Sequence, residues 1–180
     1  MHAITHLLAS LLISVIVSFK YDVGPIGFLL AALSGTLVDA DHLYNYVRYH
    51  GFPESLKKLI QRMSDAYKQP PDLGFRYHTA AHELVGLLIF LSVSIVIGCF
   101  YSPTYALLIF LPILGHFVLD SLSIKMMFFS PFSKKEFYIG ILKPNSAQER
   151  ALIAILLVAT LLLIFLRMIM DFFISSVGFK

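Results

Sequence analysis

The sequence predicts an all-α fold, a polytopic membrane helix bundle of about five transmembrane helices with one interfacial amphipathic helix. Three observations carry that prediction. Of the 180 residues, 58% are apolar and only 14% charged, and the mean hydropathy is +0.79, whereas a soluble domain is about half apolar and a quarter charged. The apolar residues gather into runs near or above the ~18 to 20 needed to cross a bilayer core. Short polar stretches separate the runs, so residues 1–180 read as a single integral membrane domain.

The first run covers residues 4–19. It follows Met1-His2-Ala3 with neither a basic leader nor a small-residue cleavage site, which predicts a retained helix rather than a signal peptide. Lys20-Tyr21-Asp22-Val23-Gly24-Pro25 turns the chain into the second run, 26–43, with Gly and Pro marking the join. The third run is 80–100 and contains the single cysteine, Cys99, expected as a packed apolar side chain. After Tyr101-Ser102-Pro103 comes the fourth, 104–122, with Pro112 as a candidate kink. The fifth, 151–174, is interrupted only by Arg167 and Asp171 near its end.

Between runs two and three, Leu56, Leu59, Ile60, Met63 and Tyr67 recur at helical spacing, with Lys57, Lys58, Gln61, Arg62, Asp65 and Lys68 on the other positions. This predicts an amphipathic helix over 54–68, either lying on the membrane surface with its basic face toward anionic headgroups or acting as a solvated connector. Arg48, Lys57, Lys58, Arg62, Lys68 and Arg76 precede run three, and Lys125, Lys134, Lys135 and Lys143 precede run five, while the other two loops carry only Lys20. The positive-inside rule then makes the basic loops and the N-terminus cytoplasmic, in a multi-pass protein of the plasma (inner) membrane. These loops account for the net charge of +3 without a nucleic-acid partner.

The ionisable residues fall at particular places. His6 opens run one, Asp39, Asp41 and His42 close run two, His78, His82 and Glu83 open run three, and His116 and Asp120 come late in run four. In an up-and-down bundle, odd helices start on the side where even helices end. All of these residues therefore share one membrane face. His78 and His82, and His116 and Asp120, are spaced i and i+4, and Asp39 and His42 i and i+3, so each pair projects from one side of a helix. Imidazoles and carboxylates on facing helices are ligands for zinc first, and for manganese or iron as alternatives. An aspartate buried in a membrane helix costs roughly 2.5 to 3.5 kcal/mol, which a bound divalent cation offsets.

Thr5-His6-Leu7-Leu8, Leu37-Val38-Asp39-Ala40-Asp41-His42, His116-Phe117-Val118-Leu119-Asp120 and Ser130-Pro131-Phe132-Ser133 resemble the motifs of the membrane-bound metal-dependent hydrolases of the LexA-binding, inner-membrane-associated family. The resemblance covers about residues 1 to 140. Val38 stands where family members carry proline, and His78-Thr79-Ala80-Ala81-His82-Glu83 departs from the family's histidine motif, leaving His82 as the better match. The family is distantly similar to zinc-dependent phospholipase C, whose metal ligands include the His-x-x-x-Asp spacing of His116 and Asp120. The resemblance implies hydrolysis of a phosphoester by analogy of fold and motif.

The expected function is metal-dependent hydrolysis of a lipid or other amphiphilic ester at the cytoplasmic face. The expected metal ligands are His6, Asp39, His42, His78, His82, His116 and Asp120. Asp41 or Glu83 would act as general base, and Arg76 is a candidate for binding a phosphate. Membrane lipids are the expected partners. The alternatives are a metal ion or proton transporter and a non-catalytic protein with a structural metal. Transport needs polar groups through both halves of the bilayer, and the outer half of each run is almost wholly apolar.

Overall fold

The computed structural model describes residues 3–40, 44, 47, 80–144 and 146–177. Among these residues the regular structure is helical, with one isolated bridge between Met126 and Phe137. The helices are α1 (Ala3–Ser18), α2 (Pro25–Leu37), α3 (Leu84–Phe100), α4 (Pro103–Ser123) and α5 (Ala147–Val177), with a 3-10 turn at Ala80–His82. The amphipathic helix expected over 54–68 lies outside the described residues.

Each of the five apolar runs forms a helix, but only α4 and α5 are long and apolar enough to cross a membrane. Helices α1, α2 and α3 have 16, 13 and 17 residues. At ~1.5 Å per residue they span roughly 20 to 26 Å, short of a ~30 Å hydrocarbon core. Two of them end early for a local reason. Helix α2, expected to run to residue 43, stops at Leu37, where Val38 and Asp39 form a turn. Helix α3, expected from residue 80, starts at Leu84 because His82 belongs to the 3-10 turn and Glu83 is the extended N-cap residue. Asp39, His82 and Glu83, expected to finish one span or open the next, thus lie outside the α-helices.

Helix α4 is the centre of the bundle, packing against α1, α2 and α3, while α5 packs on α1. Small residues make these approaches close. Gly27, Ala31 and Gly35 repeat every four residues along the buried stripe of α2. A Cβ on Gly27 would come within 2.9 Å of the Leu108 side chain, and one on Gly35 would overlap Ser10 and approach Pro112 to 3.3 Å. Such stripes of small residues let helix backbones meet closely and gain dispersion contact. On α1, buried Ser10 and Ser18 turn their hydroxyls back to the carbonyls of His6 and Val15, at 2.7 Å in each case, so they enter the interface already satisfied.

Two apolar clusters fill the bundle. Val17, Val23, Ala31 and Leu108 pack at the end that holds the α1–α2 turn. Val38, Ile113, Phe117 and Met126 pack at the other end, with Leu87 and Phe128 against them. The segment after α4 is held beneath that helix, because Ile139 and Leu142 donate their amides to the carbonyls of Ser121 and Leu122, at 2.9 Å each. Those carbonyls are among the last four of α4, which have no partner within the helix. Cys99, expected to be packed, is exposed on α3, and α5 likewise presents Leu161, Leu162 and Phe165 outward. The exposed side chains of α5 are mostly apolar, a pattern that suits lipid and is unfavourable in water.

Candidate metal centre

Helix α4 supplies His116 and Asp120, one turn apart, with Nε2 of the histidine 3.2 Å from Oδ2 of the aspartate. The tautomer of His116 follows from its other nitrogen. Nδ1 lies 2.7 Å from the carbonyl oxygen of Gly35, which can only accept, so Nδ1 carries the proton and donates. That carbonyl is available because the chain tightens at the end of α2, where the Asp39 amide bonds the carbonyl of Thr36 at 3.2 Å instead of the one four residues back. The same turn brings the Asp39 side chain round to the site. With Nδ1 so engaged, the neutral form of His116 would present an Nε2 lone pair to the cluster, held by the outer hydrogen bond that metal-ligating histidines usually make.

The 3-10 turn before α3 brings in His82. Its Nε2 lies 3.2 Å from Nε2 of His116, 3.4 Å from Oδ1 of Asp39 and 3.5 Å from Oδ2 of Asp120. Oδ1 of Asp39 is 3.4 Å from Nε2 of His116. One donor atom from each of Asp39, His82, His116 and Asp120 thus lies within 4.8 Å of all the others. Five of the six separations fall between 3.2 and 3.5 Å. A tetrahedral ion with bonds of ~2.0 to 2.1 Å requires edges of about 3.3 to 3.4 Å. The donor set therefore fits a divalent cation in both chemistry and spacing. His82, His116 and Asp120 are buried and Asp39 is 21% exposed, so the cluster reaches solvent on the Asp39 side. Two carboxylates this deep need positive charge beside them, from protonated imidazoles or from a cation.

His6 lies beside the four donors rather than among them. Its ring stacks on that of His116, with centroids 3.7 Å apart and planes inclined by 19°. Its Nε2 is 3.3 Å from Oδ1 of Asp120, the oxygen not shared with His82 and His116. The residue is 1% exposed and neither ring nitrogen makes an aligned hydrogen bond among the described residues. Glu83 is half-buried next to His82 but is not one of the four donors. Asp41, His42, Arg76 and His78 lie outside the described residues, and the helical pairing expected for His78 and His82 does not apply at His82, which is on the 3-10 turn.

One acidic residue at this end escaped the sequence reading, which gave the fifth helix no part in the cluster. Helix α5 begins at Ala147 rather than 151, and Glu149 in its first turn is 1% exposed. The Thr5 hydroxyl, next to His6 in the chain, donates to its Oε1 at 3.2 Å. The signal was available, because the parity that places the start of α1 and α3 on this face places the start of α5 there too. Compared with known proteins, the chain matches no family model, no curated protein and no solved structure, so no family is identified.

Proposed function

We propose that this chain is a multi-pass integral membrane hydrolase that uses a divalent metal, zinc first, to cleave a phosphoester or ester of a lipid or amphiphile at the cytoplasmic face. The observation that carries the reading is the buried set Asp39, His82, His116 and Asp120, whose donor atoms lie at metal-ligand spacing. Five spans, with the N-terminus inside, follow from the apolar runs and the basic loops rather than from helix length. The likeness of the His6, Asp39 and His116 motifs to the inner-membrane metal-dependent hydrolases supports the choice of reaction.

Asp39, His82, His116 and Asp120 would hold the ion, and Gly35 would orient His116 through its carbonyl. When bound, a divalent cation supplies Lewis acidity toward a phosphoryl or acyl oxygen and lowers the pKa of a water toward 7. The half-exposed side at Asp39 is the route by which water and an ester group reach the donors. Glu83, next to His82 in the chain, is our candidate to accept a proton from the attacking water.

The test is metal analysis of the purified protein together with a screen of phospholipids and lipid-linked phosphates, with and without chelator. Stoichiometric metal and chelator-sensitive hydrolysis are expected. Absence of bound metal, combined with unchanged behaviour of His82→Ala and Asp120→Ala, would end this reading. One observation favours a second reading. Four protein donors can fill a tetrahedral ion, as in structural sites, and a tightly held metal with no hydrolysis would select a metal-braced scaffold.

A further inference from the structure

Beside the metal cluster, between α3 and the end of α4, lies an apolar cavity of about 230 Å³. Leu87 of α3, Phe117 and Ser121 of α4, and Met126 and Phe128 of the following segment line it. Ser121 is the one polar side chain in the lining, and its hydroxyl donates to the Val118 carbonyl at 2.7 Å. The cavity therefore presents hydrocarbon alone. Its walls are fastened: Met126 and Phe137 exchange backbone hydrogen bonds at 2.9 and 2.7 Å, and the Leu84 amide donates to the Phe128 carbonyl at 2.6 Å.

Two relationships say what belongs in it. First, the cavity shares a wall with the cluster, because the Phe117 ring that lines it lies 6.1 Å from the ring of His82 and sits edge-on to Phe128 at 5.9 Å. Second, its mouth is on the apolar exterior, where Val118 is 52% exposed on a helix long and apolar enough to cross a membrane. The volume is below the ~300 to 1,000 Å³ of sites that enclose a whole ligand. It suits a stretch of one chain.

We infer that this cavity is an acyl-chain subsite, which receives from the bilayer a single hydrocarbon chain of a lipid ester whose head group lies at Asp39, His82, His116 and Asp120. The inference rests on the hydrolase reading for the chemistry at the head group and on the cavity alone for chain binding. Lipid tails are as apolar as the lining, so the tail alone gains little over the bilayer, and the polar head group beside the buried cluster is what enriches the lipid ester in the cavity. Its effect is positional, fixing where along the amphiphile the polar bond meets the donors.

The experiment uses the full chain in phosphatidylcholine vesicles doped with phosphatidic acid carrying a photoactivatable diazirine on one acyl chain. After irradiation, adducts are mapped by mass spectrometry. Adducts on Leu87, Phe117 and Met126 are expected in excess over those on the lipid-facing Phe172 of α5. Filling the cavity by Leu87→Trp, or independently by Ser121→Leu, is expected to reduce the cavity adducts to the Phe172 level while leaving α5 labelling intact. Equal labelling of cavity and α5, or cavity labelling that survives both substitutions, overturns the subsite. Chelator-sensitive hydrolysis is measured on the same vesicles. Selective labelling without hydrolysis of any ester removes the hydrolase and keeps the subsite, and hydrolysis with unselective labelling does the reverse.

Discussion

His116 donates its Nδ1–H to the carbonyl of Gly35 across the contact between α4 and α2, at 2.7 Å. This bond fixes the one orientation in which Nε2 of His116 faces Asp39, His82 and Asp120. It also makes the site depend on how closely two helices approach, since Gly35 is where a Cβ would overlap Ser10 and crowd Pro112.

Gly35→Val should therefore act on metal binding from outside the donor set. Overpacking at a close contact costs about 1 to 3 kcal/mol, and loss of an outer hydrogen bond to a ligand typically costs ~10- to 100-fold in metal affinity. Both effects are expected, read by thermal denaturation in detergent and by zinc titration. Ser10→Gly combined with Gly35→Ala should recover most of the affinity, because it removes the obstructing side chain.

The donors and their neighbour should separate by degree. His116→Ala or Asp120→Asn is expected to abolish stoichiometric binding, so that added metal no longer raises the melting temperature. In the unmodified chain, metal at a hundred times Kd should stabilise the fold by about 2.7 kcal/mol. His6→Phe preserves the ring that stacks on His116 and removes only the approach to Asp120. It should retain one metal per chain with affinity reduced ~10- to 100-fold. Complete loss of metal in His6→Phe would place His6 among the ligands.

Acidification should weaken metal binding. Imidazole binds a cation through the nitrogen that a proton would occupy, and a carboxylate binds best when ionised, so metal and protons compete for the same atoms. The metal-dependent part of the stability is expected to be present at neutral pH and to shrink as pH falls. Calorimetric titration in buffers of different ionisation enthalpy should show proton release on binding, increasing toward lower pH.

Thr5→Val leaves the buried Glu149 carboxylate without the 3.2 Å hydrogen bond that the hydroxyl donates. A loss of about 1 to 3 kcal/mol of stability is expected, since a hydrogen bond to a buried carboxyl group is removed. Metal stoichiometry should be unchanged, because neither residue is one of the four donors. A lowered melting temperature with normal metal content is the expected pair of readings.

Membrane orientation can be read by thiol labelling. In a Cys99→Ser background, Tyr101→Cys and Lys20→Cys should react with an impermeant maleimide from outside intact cells, and Lys134→Cys only after lysis. Protection of Tyr101→Cys in intact cells, with labelling of Lys134→Cys, would reverse the proposed topology.

The helical character of all five apolar runs was legible from composition and run length. So was the common face of His6, Asp39, His82, His116 and Asp120, since helix parity needs only the order of polar residues along the chain. Two other features were not legible from side-chain patterns. The Gly35 carbonyl is a backbone group, freed by a turn that no residue type announces. Helix ends were the other weak point. Asp39 and His82 lie on turns rather than in the α-helices, and Glu149 was left in a loop because apolarity begins only at Ala151. A hydropathy run reports where a chain is apolar, whereas a helix extends as far as its polar first turn finds partners.

Asp39 is where the chain leaves α2 and His82 is where it approaches α3, and their side chains meet at 3.4 Å. Two of the four candidate donors, far apart in the sequence, thus lie side by side at the site. Bringing two distant chain positions together has an entropic cost that rises only with the logarithm of their separation, so an ion bound by both would hold the turn after α2 against the turn before α3. A metal held here would be a clasp on the chain, fastening the exit from α2 to the approach to α3.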